Sequence, residues 1–165
     1  MIKRGRKGVM EISFSMIFSI VIIVAILGVG FYVISKFINL SRCADIGLFY
    51  DDLQDRVDKA WASGITSDVY ELKLSFGIEK LCFGNLSYDF KGYEAEHEFL
   101  NNYKRLARNV FIYPTKAACD SELATYDLKH ADTQDKKFFC VDVIDNKIKI
   151  KISKKELDAL VQIGK

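Results

Sequence analysis

The hydrophobic pattern along the chain changes character twice. From Ile12 to Ile34 it runs 23 residues without a charge, dominated by Ile, Val, Phe, Leu and Met. A helix rising about 1.5 Å per residue crosses a hydrocarbon core of about 30 Å with some 20 such residues. The hydroxyls of Ser13, Ser15 and Ser19 inside the run can bond back to the helix's own carbonyls. Further on, Ile46, Phe49 or Tyr50, Leu53, Val57, Ala60 and Trp61 recur three or four apart, with Asp51, Asp52, Asp55, Arg56, Asp58 and Lys59 between them. Gly64 is the expected stop, and no proline precedes Pro114. The pattern predicts one helix from about Met10 to Ala62, on the order of 80 Å long. It is transmembrane through residues 12–38 and amphipathic through 39–64, after a basic cytoplasmic leader at 1–11.

From residue 65 to 165 the periods shorten, and a separate α+β domain is expected. Val69, Glu71, Lys73 and Ser75 alternate with Tyr70, Leu72, Leu74 and Phe76, the period of a strand. Ile78–Phe83 and Val110–Tyr113 predict short strands, and Glu94–Ala107 a helix with Phe99, Tyr103 and Leu106 on one face. Residues 114–135 show no sustained period beyond a turn of helix at Ser121–Leu128. Phe138–Ile144 and Ile148–Ile152 alternate around Asp145-Asn146-Lys147 and predict a hairpin. Ser153, with Glu156 three residues on, predicts the cap of a short helix through Val161. The fold class expected is α+β: a long N-terminal helix, half membrane-spanning and half amphipathic, packed on a small antiparallel sheet with additional short helices.

Charge orients the anchor. Lys3, Arg4, Arg6 and Lys7 precede the apolar run, while Lys36 and Arg42 follow it. By the positive-inside rule the N-terminus is expected in the cytoplasm and the C-terminal domain outside it. From Cys43 onward 18 basic residues face 21 acidic ones, a formal −3, so the overall +2 belongs to the anchor and gives no nucleic-acid signature. The apolar run exceeds the core of a secretory signal, and no small-x-small site follows it. Arg42 before Cys43 argues against a lipoprotein box at Leu40-Ser41-Arg42-Cys43. The expectation is a single-pass protein in the cell membrane, its helix retained.

Cys43, Cys82, Cys119 and Cys140 all fall in the exported part, with no CxxC pair and no zinc spacing. Two disulfides are expected there, and three connectivities are open. The pairing Cys43–Cys82 with Cys119–Cys140 is favoured: one closure ties the stalk to the sheet, and the other staples the loop before the last hairpin. Each such closure stabilises by roughly 3–4 kcal/mol on a chain-entropy model. Of the sequons Asn39-Leu40-Ser41 and Asn85-Leu86-Ser87, Asn85 is the candidate glycosylation site, because Asn39 lies close to the membrane.

No catalytic constellation emerges. Glu96-His97-Glu98 lacks the second histidine of a metalloprotease helix, so a solvated helix face accounts for it. His130 has no nucleophile beside it in sequence. There is neither a Gly-rich phosphate loop nor a GxSxG elbow. Lys147, Lys149 and Lys151 alternate with Ile148, Ile150 and Ile152. That predicts an exposed, aggregation-resistant edge strand, the sharper reading being a surface for an anionic polymer or lipid. No catalytic residue, metal or cofactor is assigned, and the chain is not expected to be an enzyme.

Arg6-Lys7-Gly8-Val9-Met10-Glu11, leading directly into the apolar run, resembles the class III signal of type IV pilins and their archaeal relatives. The resemblance covers residues 3 to about 62. It implies cleavage after Gly8 by a prepilin peptidase, leaving Val9 as the new N-terminus and Glu11 as the glutamate that pairs with a neighbour's terminal amine. Glu11 stands closer to Gly8 than the corresponding glutamate of most pilins. The resemblance also implies a disulfide near the C-terminus, here Cys119–Cys140, and places Gly28 and Gly30 as softening points in the anchor. The expected function is then a pilin-like structural subunit with an exported head, acting by assembly or surface interaction. Its partners would be the lipid bilayer and itself or other pilin-like subunits. The alternative is an uncleaved single-pass protein whose exported domain is a binding or envelope module.

Overall fold

A computed structural model describes residues 14–165, so Gly8, Val9 and Glu11 lie outside the described residues. Two compact units are distinguished, Met1–Ile38 and Asn39–Lys165. One helix, α1 (Phe14–Ser63), contributes to both.

In the first unit the described part of α1 is bare. Apolar side chains from Met16 to Ile38 are exposed on every face, Val24 at 63% and Phe31 at 71%. α1 is the one described helix long and apolar enough to cross a membrane. Leaving so much apolar area in water would cost on the order of 25 cal/mol per Å².

In the second unit α1 turns amphipathic, burying Ile46, Phe49, Tyr50, Leu53, Val57 and Ala60. It ends where Gly64 adopts φ +83°, the left-handed conformation that closes a helix without a Cβ penalty. There follow β1 (Thr66–Lys73), β2 (Lys80–Phe83), α2 (Glu94–Leu100), β3 (Val110–Tyr113), β4 (Thr125–Tyr126), β5 (Ala131–Thr133), β6 (Phe139–Asp142), β7 (Lys147–Lys154) and β8 (Val161–Gly164). They form two four-stranded sheets, one in the order β1-β7-β8-β5 and the other β4-β3-β2-β6. All pairings are antiparallel except β5 with β8. The α+β class is as expected, with two sheets in place of one.

Burial explains the different sequence textures of the two sheets. In β7, Ile148, Ile150 and Ile152 are buried while Lys147, Lys149 and Lys151 are exposed, so this sheet covers the core with one face and meets water with the other. The second sheet is covered on both sides. Leu81, Phe83, Val110 and Ile112 join the main core with the α1 stripe. Cys82, Phe111 and Cys140 face a smaller core with Leu100 of α2 and Phe138. Its strands therefore read as unbroken apolar runs.

Several expectations are corrected. The Asp145-Asn146 turn forms, both residues at positive φ, and Ile144 and Lys147 exchange backbone hydrogen bonds of 3.0 and 2.9 Å. The strands it joins do not pair beyond that bridge: β6 lies against β2, and β7 against β1 and β8. The C-terminal helix is absent. Lys155 and Asp158 close a turn instead, and β8 buries Val161 and Ile163. α2 stops at Leu100, with a 3₁₀ turn at Asn101–Tyr103, because asparagines favour turns; Phe99 and Leu106 stay exposed. In place of a helical turn at 121–128, the Asp120 carboxylate accepts the Leu123 N–H and the chain passes into β4. β7 is no edge: it lies between β1 and β8, and β1 and β5 are the edge strands.

Candidate functional site

All four cysteines are disulfide-bonded, but the favoured pairing is overturned: Cys43 joins Cys119 and Cys82 joins Cys140. Strand register dictates the second bridge. Cys82 and Cys140 are direct partners across β2 and β6, their Cα atoms 3.9 Å apart, and both are buried. Cys43 of α1 is then left for Cys119, in the loop that follows the cis Tyr113–Pro114 bond. Two further contacts hold the same region to the helix. Tyr50 donates its hydroxyl to the Leu123 carbonyl at 2.9 Å, and its burial, with Tyr126 alongside, raises its pKa well above the ordinary phenol. Gln54 presents its amide to the Lys129 backbone, accepting at 2.9 Å and donating at 3.3 Å, much as a strand would.

The titratable groups singled out in sequence are engaged in structure. Glu96 is only 8% exposed, which corrects the solvated-face reading for this residue. Lys80 donates to it at 2.5 Å, and that hydrogen bond holds the Glu96 carboxyl below the usual range while it raises Lys80. His97 sets Nε2 at 2.7 Å from the Leu86 carbonyl oxygen and stacks on Phe90. Glu98 remains on the solvated face. His130 sets Nδ1 at 3.0 Å from Asp58 and stacks on Trp61 with ring centroids 4.0 Å apart. Both histidines thus brace the fold. No cluster of three or more His, Cys, Asp or Glu side chains suited to a metal ion occurs among the described residues.

Asn85 lies exposed in a turn after β2, its side-chain oxygen accepting the Ser87 N–H at 2.8 Å. Accessibility is there, and glycosylation remains an expectation. The lysines of β7 stand in a row on the solvent face. Glu71 of β1 reaches across to Lys147 at 2.6 Å and Lys149 at 3.7 Å, and the hydrogen bond from Lys147 lowers its pKa. Beside this row lies an open groove of about 530 Å³, bordered by Lys147, Lys149, Lys165, Glu71, Asp142 and Ile144. Its mixed charges select no single small ligand.

No protein-family model, curated protein or solved structure matches the chain. Function therefore rests on this chain's own chemistry. Its two prominent features are the bare apolar helix of the first unit and the opposed charges on the surface of the second. Sequence reasoning missed the Lys80–Glu96 pair. The one signal for it was a carboxylate four residues before Leu100, on the face that packs inward.

Proposed function

We propose that the chain is a membrane-anchored, type IV pilin-like structural subunit whose exported, disulfide-bonded head acts by assembly. The observation that carries this reading is α1 itself. One helix, Phe14–Ser63, joins a half that is apolar all round and uncovered to a half whose single apolar stripe forms part of the head's core. Lipid, or the same helix of neighbouring copies, is the chemistry that satisfies the first half. Phe31, Tyr32 and Phe37, with Lys36 and Arg42, fit the boundary where an anchor leaves the bilayer. Two disulfides agree with an oxidising, extracytoplasmic location for the head. Gly8, Val9 and Glu11 supply the processing signal by resemblance, and a prepilin peptidase on the cytoplasmic side would cut after Gly8.

The test is the N-terminus of the native protein. Mass spectrometry of material sheared from cells should find chains beginning at Val9. Chains that keep Met1 through Gly8, and that stay with the membrane on shearing, would replace this reading with that of an uncleaved, tethered envelope module.

A further inference from the structure

The head carries opposite charges on two faces turned away from one core. We propose that the lysine-bearing outer face of β7 docks onto the acidic outer face of α1 in a second copy of this chain, joining heads head to tail. The inference rests on the reading of the chain as an assembling subunit and names the partner and the faces.

On β7, Lys147, Lys149 and Lys151 are exposed, because Ile148, Ile150 and Ile152 take the inward positions. Val69, 66% exposed, lies opposite Lys151 on β1. On α1, the stripe from Ile46 to Ala60 is buried in the core that those isoleucines also enter. The opposite face therefore points outward, with Asp45, Asp51, Asp52 and Asp55 exposed around Leu48, itself 67% exposed. Each face is thus a patch of one dominant charge with an apolar side chain in its midst.

The dimensions agree. Lys147 to Lys151 spans about 13 Å at a strand's rise, and Asp45 to Asp55 about 15 Å at a helix's rise. The minority charges are complementary too. Glu71 sits among the lysines, bridging two of them, whereas Arg56 and Lys59 sit among the aspartates. An extended polyanion gains nothing from Glu71, but a protein face that offers both signs can meet it. The two faces adjoin around β1, where Glu71 borders both the lysine row and an open groove with Asp45, Leu48 and Asp52. The mixed isotopes of a linkage are therefore what assign it to two copies. Because the faces differ, the contact between copies is heterologous. Such a contact propagates as a filament or closes as a ring.

The test uses the full-length chain in phosphatidylcholine bilayers, mixing isotopically light and heavy copies. A zero-length carbodiimide couples lysine to carboxylate, and mass spectrometry identifies linkages that unite a light with a heavy peptide. Linkages between β7 lysines and α1 aspartates are expected. Reversing one face (Lys147→Glu, Lys149→Glu and Lys151→Glu) also removes coupling amines. The yield is therefore read from light-to-heavy linkages between Lys73 and Asp52, exposed beside the two faces and unchanged in either variant. It should fall about tenfold or more, since several exposed pairs turn repulsive together. Reversing the other (Asp45→Lys, Asp51→Lys and Asp55→Lys) should do the same, and mixing the two variants should restore the yield. Where a triple variant loses its circular dichroism signal, Lys149→Glu and Asp51→Lys are read in the same way. Linkages confined to one copy, yields indifferent to reversal, or lysines that instead bind phosphatidylglycerol vesicles would each overturn the proposal. A retained leader removes the pilin-like reading and leaves the linkages standing, whereas processed, sheared filaments without them remove the docking alone.

Discussion

Replacing both Cys43 and Cys119 by serine opens the closure that ties α1 to the loop before β4. Both cysteines are half-buried, so little core packing is lost and the effect falls mainly on the unfolded chain. The bridge spans 76 residues. With Cys82–Cys140 intact, the shortest closed path through the unfolded chain shortens to about 60 residues, and the chain-entropy relation gives about 4 kcal/mol. Loop length enters as a logarithm, so the shortcut changes the figure little. Urea unfolding of the full chain in detergent micelles measures it. Trp61 is the sole tryptophan. It stacks on His130 and donates its indole N–H to the Ala159 carbonyl, so its emission reports whether the end of α1 is still seated on the head. With a slope of roughly 1.5 kcal/mol per molar urea, the midpoint should fall by about 2–3 M. A midpoint within about 0.5 M of the wild type would refute the closure argument and transfer the anchoring of this loop to Tyr50 and Gln54.

Two further outcomes follow from single side chains. Gly84→Ala should destabilise by about 2 kcal/mol or more, because a Cβ there would lie 2.9 Å from the Lys137 carbonyl oxygen, at φ +111°. Gly92→Ala, at φ +90° but with open space around it, should cost about 1 kcal/mol in the same denaturation assay. Glu96→Gln should cost about 1 kcal/mol at neutral pH, since Lys80 is one-third exposed and its pair partly screened. The Glu96 carboxyl is held below its unfolded value. Its stabilisation is therefore fully present above the ordinary carboxylate range and disappears as pH falls through the lowered value. Wild type and Glu96→Gln should converge in acid, and a gap independent of pH would contradict the pairing.

Period was legible in the sequence; partnership was not. The two textures of α1, the alternation of β7 and the Asp145-Asn146 bend could be read from residue type alone, because each follows from local burial or backbone freedom. Which strand lies against which depends on contacts far apart in the chain. Two alternating runs joined by the Asp145-Asn146-Lys147 bend suggested a hairpin, whereas Phe139–Asp142 and Lys147–Lys154 belong to different sheets. The same gap misled the disulfide pairing. Both Cys82 and Cys140 sit within apolar runs, Leu81–Phe83 and Phe138–Val141, and that shared setting was the available hint that they face one another. At the C-terminus, Ser153 and Glu156 match a capping box, but Val161 and Ile163 alternate as strand residues and bury at the edge of the core. With so few residues, the tertiary contact outweighs the local signal. The charged faces were legible as residues and not as a surface, because their opposition depends on α1 and β7 sharing a core.

Everything rests on the first unit of α1 lying in lipid with the head on the far side of the membrane. Protease added to intact cells tests this directly, with an epitope tag fused at the C-terminus and the membranes afterwards washed in alkaline carbonate. The tag should be lost from whole cells, while the undigested chain stays with the membrane through the wash. A tag protected until the cells are broken, or a chain released by carbonate, would contradict the account.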